Sequence, residues 1–170
     1  MYADDTVLFY SSSQVSTIEM KLNEELRKIE RWLCSNSLFI NVKKTEAMLS
    51  GTAPRLAREK SFNIGIDGKQ IERVYEFTYL GIIFDEHLSW GSHVKKVISK
   101  AGKRVGMLGR LRNNLTTYSA NVVYISLIRP SLEYCDTLWG CCGEGNCQPL
   151  EALQKRAGRI LPKHLAVALQ

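Results

Sequence analysis

The sequence predicts an α+β fold in which a short antiparallel sheet with one packed helix precedes an all-helical region. Strand-like apolar runs are confined to the first half of the chain, one long amphipathic helix lies among them, and every periodic segment after residue 90 has helical spacing. The chain of 170 residues, 45% of them hydrophobic, is long enough to bury a core. We expect two domains, covering residues 1–86 and 87–170.

The first elements are a strand and a helix. Thr6–Tyr10 is a β-branched and aromatic run, which predicts a buried strand. Apolar residues then recur at intervals of three and four between Val15 and Leu33, so an amphipathic helix of about five turns follows. Ser16 and Glu19 have the spacing of a capping box at its start.

The rest of the first half predicts strands and turns. Residues 38–49 pass through a loop into a strand, and residues 51–60 are typical of a surface loop. Asp67-Gly68 stands between two alternating segments and is a strong hairpin signal. Phe77–Phe84 predicts one further strand, and Gly81 inside it indicates a bulge or the close approach of another backbone.

The second half predicts helices. Residues 92–112 form an amphipathic helix, a third helix runs from Thr117 to Ile128 and stops at Pro130, and a fourth starts near Pro149. The apolar stripe of the helix at 92–112 consists of Val94, Val97, Ile98, Ala101, Val105 and Leu108.

Positive charge is concentrated in this second half. The chain has a net charge of +6, and residues 88–130 contain eight basic side chains and no acidic one. Focused positive charge favours a polyanionic partner such as nucleic acid, and the alternative is a solvated helix face that happens to be basic. A basic face without bulky apolar surface does not favour membrane binding. The candidate nucleic-acid-binding residues are Lys95, Lys96, Lys100, Lys103, Arg104, Arg110 and Arg112.

An acidic pair, Asp4-Asp5, immediately precedes the first predicted strand. Carboxylates suit hard divalent cations, but adjacent aspartates are also common as solvated turn residues. Lys44 precedes a strand, where it could face a phosphate, donate a proton or simply be solvated. Residues alone leave these alternatives open.

Four of the five cysteines are clustered. Cys135, Cys141, Cys142 and Cys147 lack the spacing of a zinc ribbon, and no histidine stands at zinc-finger spacing. We expect reduced, partly buried thiols, whose role the spacing does not identify.

We expect a cytoplasmic or nuclear protein that is not secreted. No apolar run approaches the ~20 residues of a membrane span, and the first residues lack the pattern of a signal peptide.

Several stretches, in the same order, resemble motifs of non-LTR retrotransposon reverse transcriptases of the LINE type, the jockey-like enzymes. Together they cover nearly the whole chain, which makes the resemblance much more specific than one acidic pair. The stretches are Tyr2-Ala3-Asp4-Asp5, Leu38–Asn41 with Lys44-Thr45-Glu46, Tyr79-Leu80-Gly81-Ile82, Trp90–Arg112 and Tyr134–Ile160.

The resemblance implies a partial polymerase palm over residues 1–86 and a helical thumb and post-thumb region over residues 87–170. It implies RNA-directed DNA polymerase activity, with an RNA template, a DNA primer and deoxynucleoside triphosphates as partners. Asp4 and Asp5 would be catalytic and would bind Mg²⁺, or alternatively Mn²⁺, and Lys44 would lie near the leaving pyrophosphate. Tyr79, Leu80 and Gly81 would form the primer grip.

The resemblance also implies parts that this sequence does not contain. Family members have fingers, another metal-binding aspartate and a nucleotide-gating segment before the acidic box. With two carboxylates the magnesium site is incomplete, so we expect the chain to be inactive alone. The alternatives are a non-catalytic nucleic-acid-binding remnant that acts through the basic helix at 92–112, and a relic without selected function.

Overall fold

The computed structural model describes residues 5–59 and 61–161, which form two compact units. Unit 1 consists of Met1–Phe77 and Asp85–Leu88, and unit 2 of Thr78–Phe84 and Ser89–Gln170. The fold is α+β, mostly helical with small sheets, which confirms the expected class. The single short antiparallel sheet that we expected is wrong, because the described strands form three separate pairs and one pair is parallel. None of the helices in the described parts of the chain is both long and apolar enough to cross a bilayer.

Unit 1 combines one long helix with short strand pairs. The pair of β1 (Glu46–Ala47) and β4 (Glu72–Arg73) is parallel, whereas β2 (Gly65–Ile66) and β3 (Lys69–Gln70) are antiparallel. A 3₁₀ turn, Val42–Lys44, precedes β1. The elements are α1 Val15–Ser35, β1 Glu46–Ala47, α2 Ala53–Leu56, β2 Gly65–Ile66, β3 Lys69–Gln70 and β4 Glu72–Arg73.

The predicted hairpin at Asp67-Gly68 is confirmed. Both residues have positive φ, 52° for Asp67 and 67° for Gly68, and they connect β2 directly to β3. Positive φ at both central residues gives a two-residue turn the twist that matches its strands, which is why Asp-Gly is favoured there.

The core of unit 1 lies between α1 and the strands. The first part of the predicted stripe of α1 packs against this core, and no residue of α1 is completely buried. The buried residues are Leu49, Phe62, Ile64, Ile66 and Ile71, and the stripe contributes Val15, Ile18, Leu22 and Leu26.

Two predictions for the beginning of unit 1 are wrong. Thr6–Tyr10 is not a buried strand: it has no strand partner among the described residues, and Phe9 is 87% exposed. A β-branched run becomes a strand only where a neighbouring strand takes up its backbone hydrogen bonds. The capping box is also absent, because α1 begins at Val15, before Ser16, and its N-cap Gln14 makes no side-chain cap.

Unit 2 is a helical assembly. Its helices are α3 Gly91–Leu111, α4 Thr117–Val123, α5 Arg129–Glu133, α6 Asp136–Trp139 and α7 Glu144–Ile160. The buried core contains five of the six residues predicted for the α3 stripe, and Ile98 packs against it partly buried. Helix α7 contributes Leu153 and Ala157, as its periodicity predicts. The Cα atoms of Gly102 and Gly109 leave room for the α7 side chains, since a methyl group at Gly109 would stand 3.4 Å from Ile160 Cδ1.

Both helix boundaries predicted from prolines are wrong. A π-helical turn, Tyr124–Ile128, follows α4 directly, and the chain continues into α5, where Pro130 lies in the first turn. Proline is tolerated there because the N–H groups of a first turn have no partner within the helix. Helix α7 begins at Glu144 and contains Pro149, so it starts before the proline and sacrifices one backbone hydrogen bond.

Candidate nucleic-acid interface

Helix α3 divides into an apolar face and a basic face. His93, Val94, Val97, Ala101, Val105 and Leu108 are buried, whereas Lys96, Lys100, Lys103 and Arg110 are exposed. At 100° per residue these four cations lie within about 80° of one another on the helix surface. We call Lys96, Lys100, Lys103 and Arg110 the α3 basic face.

The cations of the α3 basic face are not in ion pairs in the part of the chain that the structure describes. Elsewhere lysines are paired: Lys21 and Lys28 contact Glu24 at 2.9 and 3.2 Å, and Lys155 contacts Glu151 at 3.2 Å. Those pairs raise the pKa values of Lys21 and Lys28, chiefly through hydrogen bonds to glutamates. The α3 basic face therefore keeps its full charge available to an anionic ligand.

The other three basic residues predicted for this interface differ in their surroundings. Lys95 is exposed on α3, and Arg112 is exposed in the 3₁₀ turn Arg112–Asn114 that follows it. Arg104 is partly buried, and its Nη1 donates hydrogen bonds to the backbone oxygen of Leu127 and to Ser131 Oγ. Arg104 thus ties α3 to the helical segment around Pro130, and its guanidinium is engaged within unit 2.

The predicted primer-grip residues form a turn. The single strand expected over residues 77–84 is wrong: β5 Glu76–Tyr79 and β6 Ile82–Asp85 pair with each other, and Leu80-Gly81 connects them. Leu80 has a φ of 47° and Gly81 a φ of 83°. Gly81 therefore supplies the backbone freedom of a two-residue turn, not a bulge.

Tyr134 holds this turn from the helical side of unit 2. Its hydroxyl donates a 2.8 Å hydrogen bond to the backbone oxygen of Leu80, and its ring lies 3.8 Å from where a Cβ would stand at Gly81. The backbone oxygen of Tyr134 in turn accepts a 2.9 Å hydrogen bond from Trp139 Nε1. The shape of the turn thus depends on residues more than 50 positions away, which no local pattern could indicate.

His93 is the buried polar residue of this region. It is 3% exposed, its Nδ1 accepts a 3.2 Å hydrogen bond from the Ile83 N–H, and its ring meets the ring of Trp139 edge to face at 5.6 Å. An Nδ1 that accepts leaves the proton of the neutral ring on Nε2. Burial, and secondarily the charge of Lys96, lowers the pKa of His93 below its usual 6.5. The only sequence signal was its position one residue before Val94.

The expected metal site falls largely outside the described residues. Asp4 lies outside them, Asp5 is exposed, and Lys44 is exposed at the end of its 3₁₀ turn. Residues 5–59 and 61–161 contain no group of three His, Cys, Asp or Glu side chains that could hold a metal ion. Carboxylate oxygens are ligands that suit Mg²⁺, and one or two of them, with substrate phosphates and water, usually hold this ion.

The chain is similar to three proteins of insect mobile elements. It is 28% identical to a probable RNA-directed DNA polymerase from transposon BS of Drosophila melanogaster, over 94% of the chain and 18% of that protein. It is 24% identical to the RNA-directed DNA polymerase from mobile element jockey of the same fly, over 93% of the chain and 17% of that protein. It is 27% identical to a Pol polyprotein from the type-1 retrotransposable element R1 2 of Nasonia vitripennis, over 81% of the chain and 35% of that protein.

The chain thus spans about a fifth of the length of the first two relatives. No protein-family model matches it, and no solved structure does.

Proposed function

Since the homologues of this chain are RNA-directed DNA polymerases of LINE-type retrotransposons, we propose that the chain is the part of such a polymerase that holds the template and primer. In this proposal residues 1–86 are a portion of the palm, and residues 87–170 are the thumb and the region just after it. The α3 basic face is the observation that carries the proposal, because its four exposed cations share one side of the helix and none of them forms an ion pair with another described residue.

The dimensions of the α3 basic face suit a nucleic-acid backbone. From Lys96 to Arg110 the helix rises about 21 Å, at 1.5 Å per residue. Successive nucleotides of one strand in a duplex rise about 3.4 Å, so the face extends along roughly six of them. Cations at intervals of three, four and seven residues along one line can each neutralise a phosphate of the same strand. Such contacts fix the position of a duplex without reading its sequence, as a polymerase requires.

The turn between β5 and β6 is the proposed primer grip. Leu80 and Gly81 are exposed at the tip of a tight turn, and the hydroxyl of Tyr134 fixes the turn by donating a hydrogen bond to the backbone oxygen of Leu80. Backbone presented in this way can contact a sugar and phosphate whatever the base. The turn at Leu80-Gly81 and helix α3 belong to the same compact unit, so in this proposal both contact the same template–primer duplex.

The reaction itself belongs to the whole polymerase in this proposal. Asp4 and Asp5 would serve as carboxylate ligands of Mg²⁺ or Mn²⁺, Lys44 would face the pyrophosphate, and deoxynucleoside triphosphates would be the substrates. Of the proposed carboxylates, the structure describes only Asp5, and it is exposed. We propose that the 170-residue chain alone does not catalyse nucleotidyl transfer, because it corresponds to about a fifth of the length of the first two related polymerases.

The salt dependence of binding tests the proposal. Four neutralised phosphates give a slope of log K against log [salt] of about −3.6, so affinity for a 12-base-pair duplex falls roughly 150-fold between 50 and 200 mM KCl. In the variant K96Q/K100Q/K103Q the expected slope is about −0.9, and affinity falls only roughly 3-fold to 4-fold. Fluorescence anisotropy of a labelled duplex measures both.

A second triple variant controls for net charge. K21Q/K28Q/K155Q removes the same three charges, but from lysines that are paired with glutamates. It should keep the wild-type slope. Equal slopes in the two triple variants would show that the α3 basic face is not the binding surface.

A second candidate function is that of a non-catalytic nucleic-acid-binding module. It is favoured by two observations: the α3 basic face is exposed, and the described residues contain no three-ligand metal site. Primer extension with the purified chain, an annealed RNA–DNA substrate and Mg²⁺ tests whether the chain alone is catalytically active. Both candidate functions predict no nucleotide incorporation. Incorporation that disappears in Asp4→Asn would overturn the proposed inactivity.

A further inference from the structure

Two free thiols, Cys142 and Cys147, lie close together at the junction between α6 and α7. Cys142 Sγ and Cys147 Sγ are 3.8 Å apart, and Cys147 Sγ also donates to the backbone oxygen of Cys142 at 3.3 Å. Both cysteines are free thiols. The distance is short enough that modest side-chain and backbone movement would bring the sulfurs to the ~2.05 Å of a disulfide bond.

The two thiols differ in accessibility. Cys142 is 8% exposed and belongs to the core of unit 2, whereas Cys147, in the first turn of α7, is only partly buried. Burial, together with the hydrogen bond to Cys147, raises the pKa of the Cys142 thiol. Cys147 is more accessible to a reagent from solvent, and the raised pKa of Cys142 disfavours its reactive thiolate form. Cys147 is therefore the thiol that reacts first.

The segment between them consists of Gly143, which is the N-cap of α7, and the first turn of that helix. It reads Gly143-Glu144-Gly145-Asn146, and no atom lies within 4 Å of where a Cβ would stand at either glycine. Open space and glycine backbone allow the short closure that a bond requires.

We propose that Cys142 and Cys147 are a redox-active dithiol, which a peroxide converts into an intrachain disulfide. The thiolate of Cys147 attacks one peroxide oxygen, the O–O bond breaks, and a sulfenic acid forms while hydroxide leaves and takes up a proton. The Cys142 sulfur then attacks the sulfenic sulfur, the S–O bond breaks, and a second water leaves with the Cys142 proton. Two thiols lose two electrons, and hydrogen peroxide is reduced to two waters.

The disulfide bond would link Cys142, which follows α6, to Cys147 in the first turn of α7. Helix α7 covers the core side of α3, where Leu153 and Ala157 are buried. Closing a loop of six residues lowers the unfolding equilibrium constant of unit 2 roughly 40-fold in the chain-entropy model. The α3 basic face lies on the opposite side of that helix, so oxidation should leave the salt slope of duplex binding unchanged. The proposal therefore does not depend on the proposed function.

Thiol counting in the full chain tests it. Treatment with a small excess of hydrogen peroxide, followed by maleimide labelling and intact-mass measurement, should reduce the five labelled cysteines to three. Dithiothreitol should restore all five. Both Cys147→Ser and Cys142→Ala should abolish the two-thiol loss, and the alanine variant keeps an apolar side chain in the core. Cys141→Ser, a change at the exposed neighbour, is the matched control and should still lose two thiols.

Three results would overturn the proposal. One is retention of all five thiols under conditions that oxidise a dithiothreitol standard. Another is oxidation that stops at a sulfenic or sulfinic acid on one cysteine. The third is a bond that Cys141→Ser removes, which would assign the reactive pair differently.

Discussion

Replacement of Leu108 by alanine tests the assignment of the two faces of α3. Leu108 is fully buried in the core of unit 2, and Leu111, three residues later in the same helix, is 41% exposed. The change deletes three carbons, worth about 2.4 kcal/mol of transfer free energy, and the residual cavity adds to this. We expect Leu108→Ala to lower the free energy of unfolding by about 3 to 4 kcal/mol and Leu111→Ala by less than about 1 kcal/mol.

Urea unfolding, followed by circular dichroism and by tryptophan fluorescence, measures the difference. Two of the three tryptophans, Trp90 and Trp139, lie in unit 2, and Trp139 is buried in its core, whereas Trp32 of unit 1 is 61% exposed. The variant Trp32→Phe makes the fluorescence signal specific to unit 2. Leu108→Met, which nearly conserves volume, should cost less than about 1.5 kcal/mol and remains measurable if the alanine variant does not fold. Losses that agree within 1 kcal/mol for the two alanine variants would refute the division into an apolar and a basic face.

Two further predictions concern glycine and histidine. Gly68→Ala should lower the free energy of unfolding by about 1 to 2 kcal/mol, because the φ of +67° is strained for alanine although a Cβ there would meet no atom within 4 Å. Gly145→Ala in α7 should raise the free energy of unfolding by about 0.5 to 1 kcal/mol, because alanine favours a helix more than glycine does. Urea midpoints measure both changes. For His93, a folded-state pKa below the usual 6.5 means that the unfolded chain binds more protons, so its contribution to stability is full above pH 6.5 and is lost as pH falls towards the folded pKa. Urea midpoints at pH 8 and pH 5.5 should differ less in His93→Gln than in the wild type, and an unchanged difference would contradict this account.

Features that depend on residues close together in sequence were predictable from local patterns. The apolar stripe of α3 was predictable because a residue's burial in a helix follows from its angle around the axis. The turn at Asp67-Gly68 was predictable because few residue pairs adopt positive φ twice in succession. Both features are fixed by residues that are neighbours in sequence.

Features that depend on distant partners were not predictable. Thr6–Tyr10 has the composition of a strand but lacks a strand partner within the described chain, and composition carries no information about partners. Pro130 was expected to end a helix, but a π-helical turn before it allowed the chain to continue. The hydrogen bond from Tyr134 to the turn at Leu80 joins positions 54 apart, so no spacing rule could suggest it.

Arg104 shows that the basic residues of one segment can have different roles. Its position in sequence suggests the same role as Lys100 and Lys103, yet its guanidinium reaches two acceptors on the π-helical and α5 side of unit 2. A planar guanidinium can donate to two acceptors at once, which a lysine ammonium in the same position would not reproduce with the same geometry. The lysines of α3 meet no such acceptors among the described residues and remain available to phosphates. Within the same basic segment, one cation thus stabilises the helical unit, and the exposed ones are those that we propose to contact a polyanion.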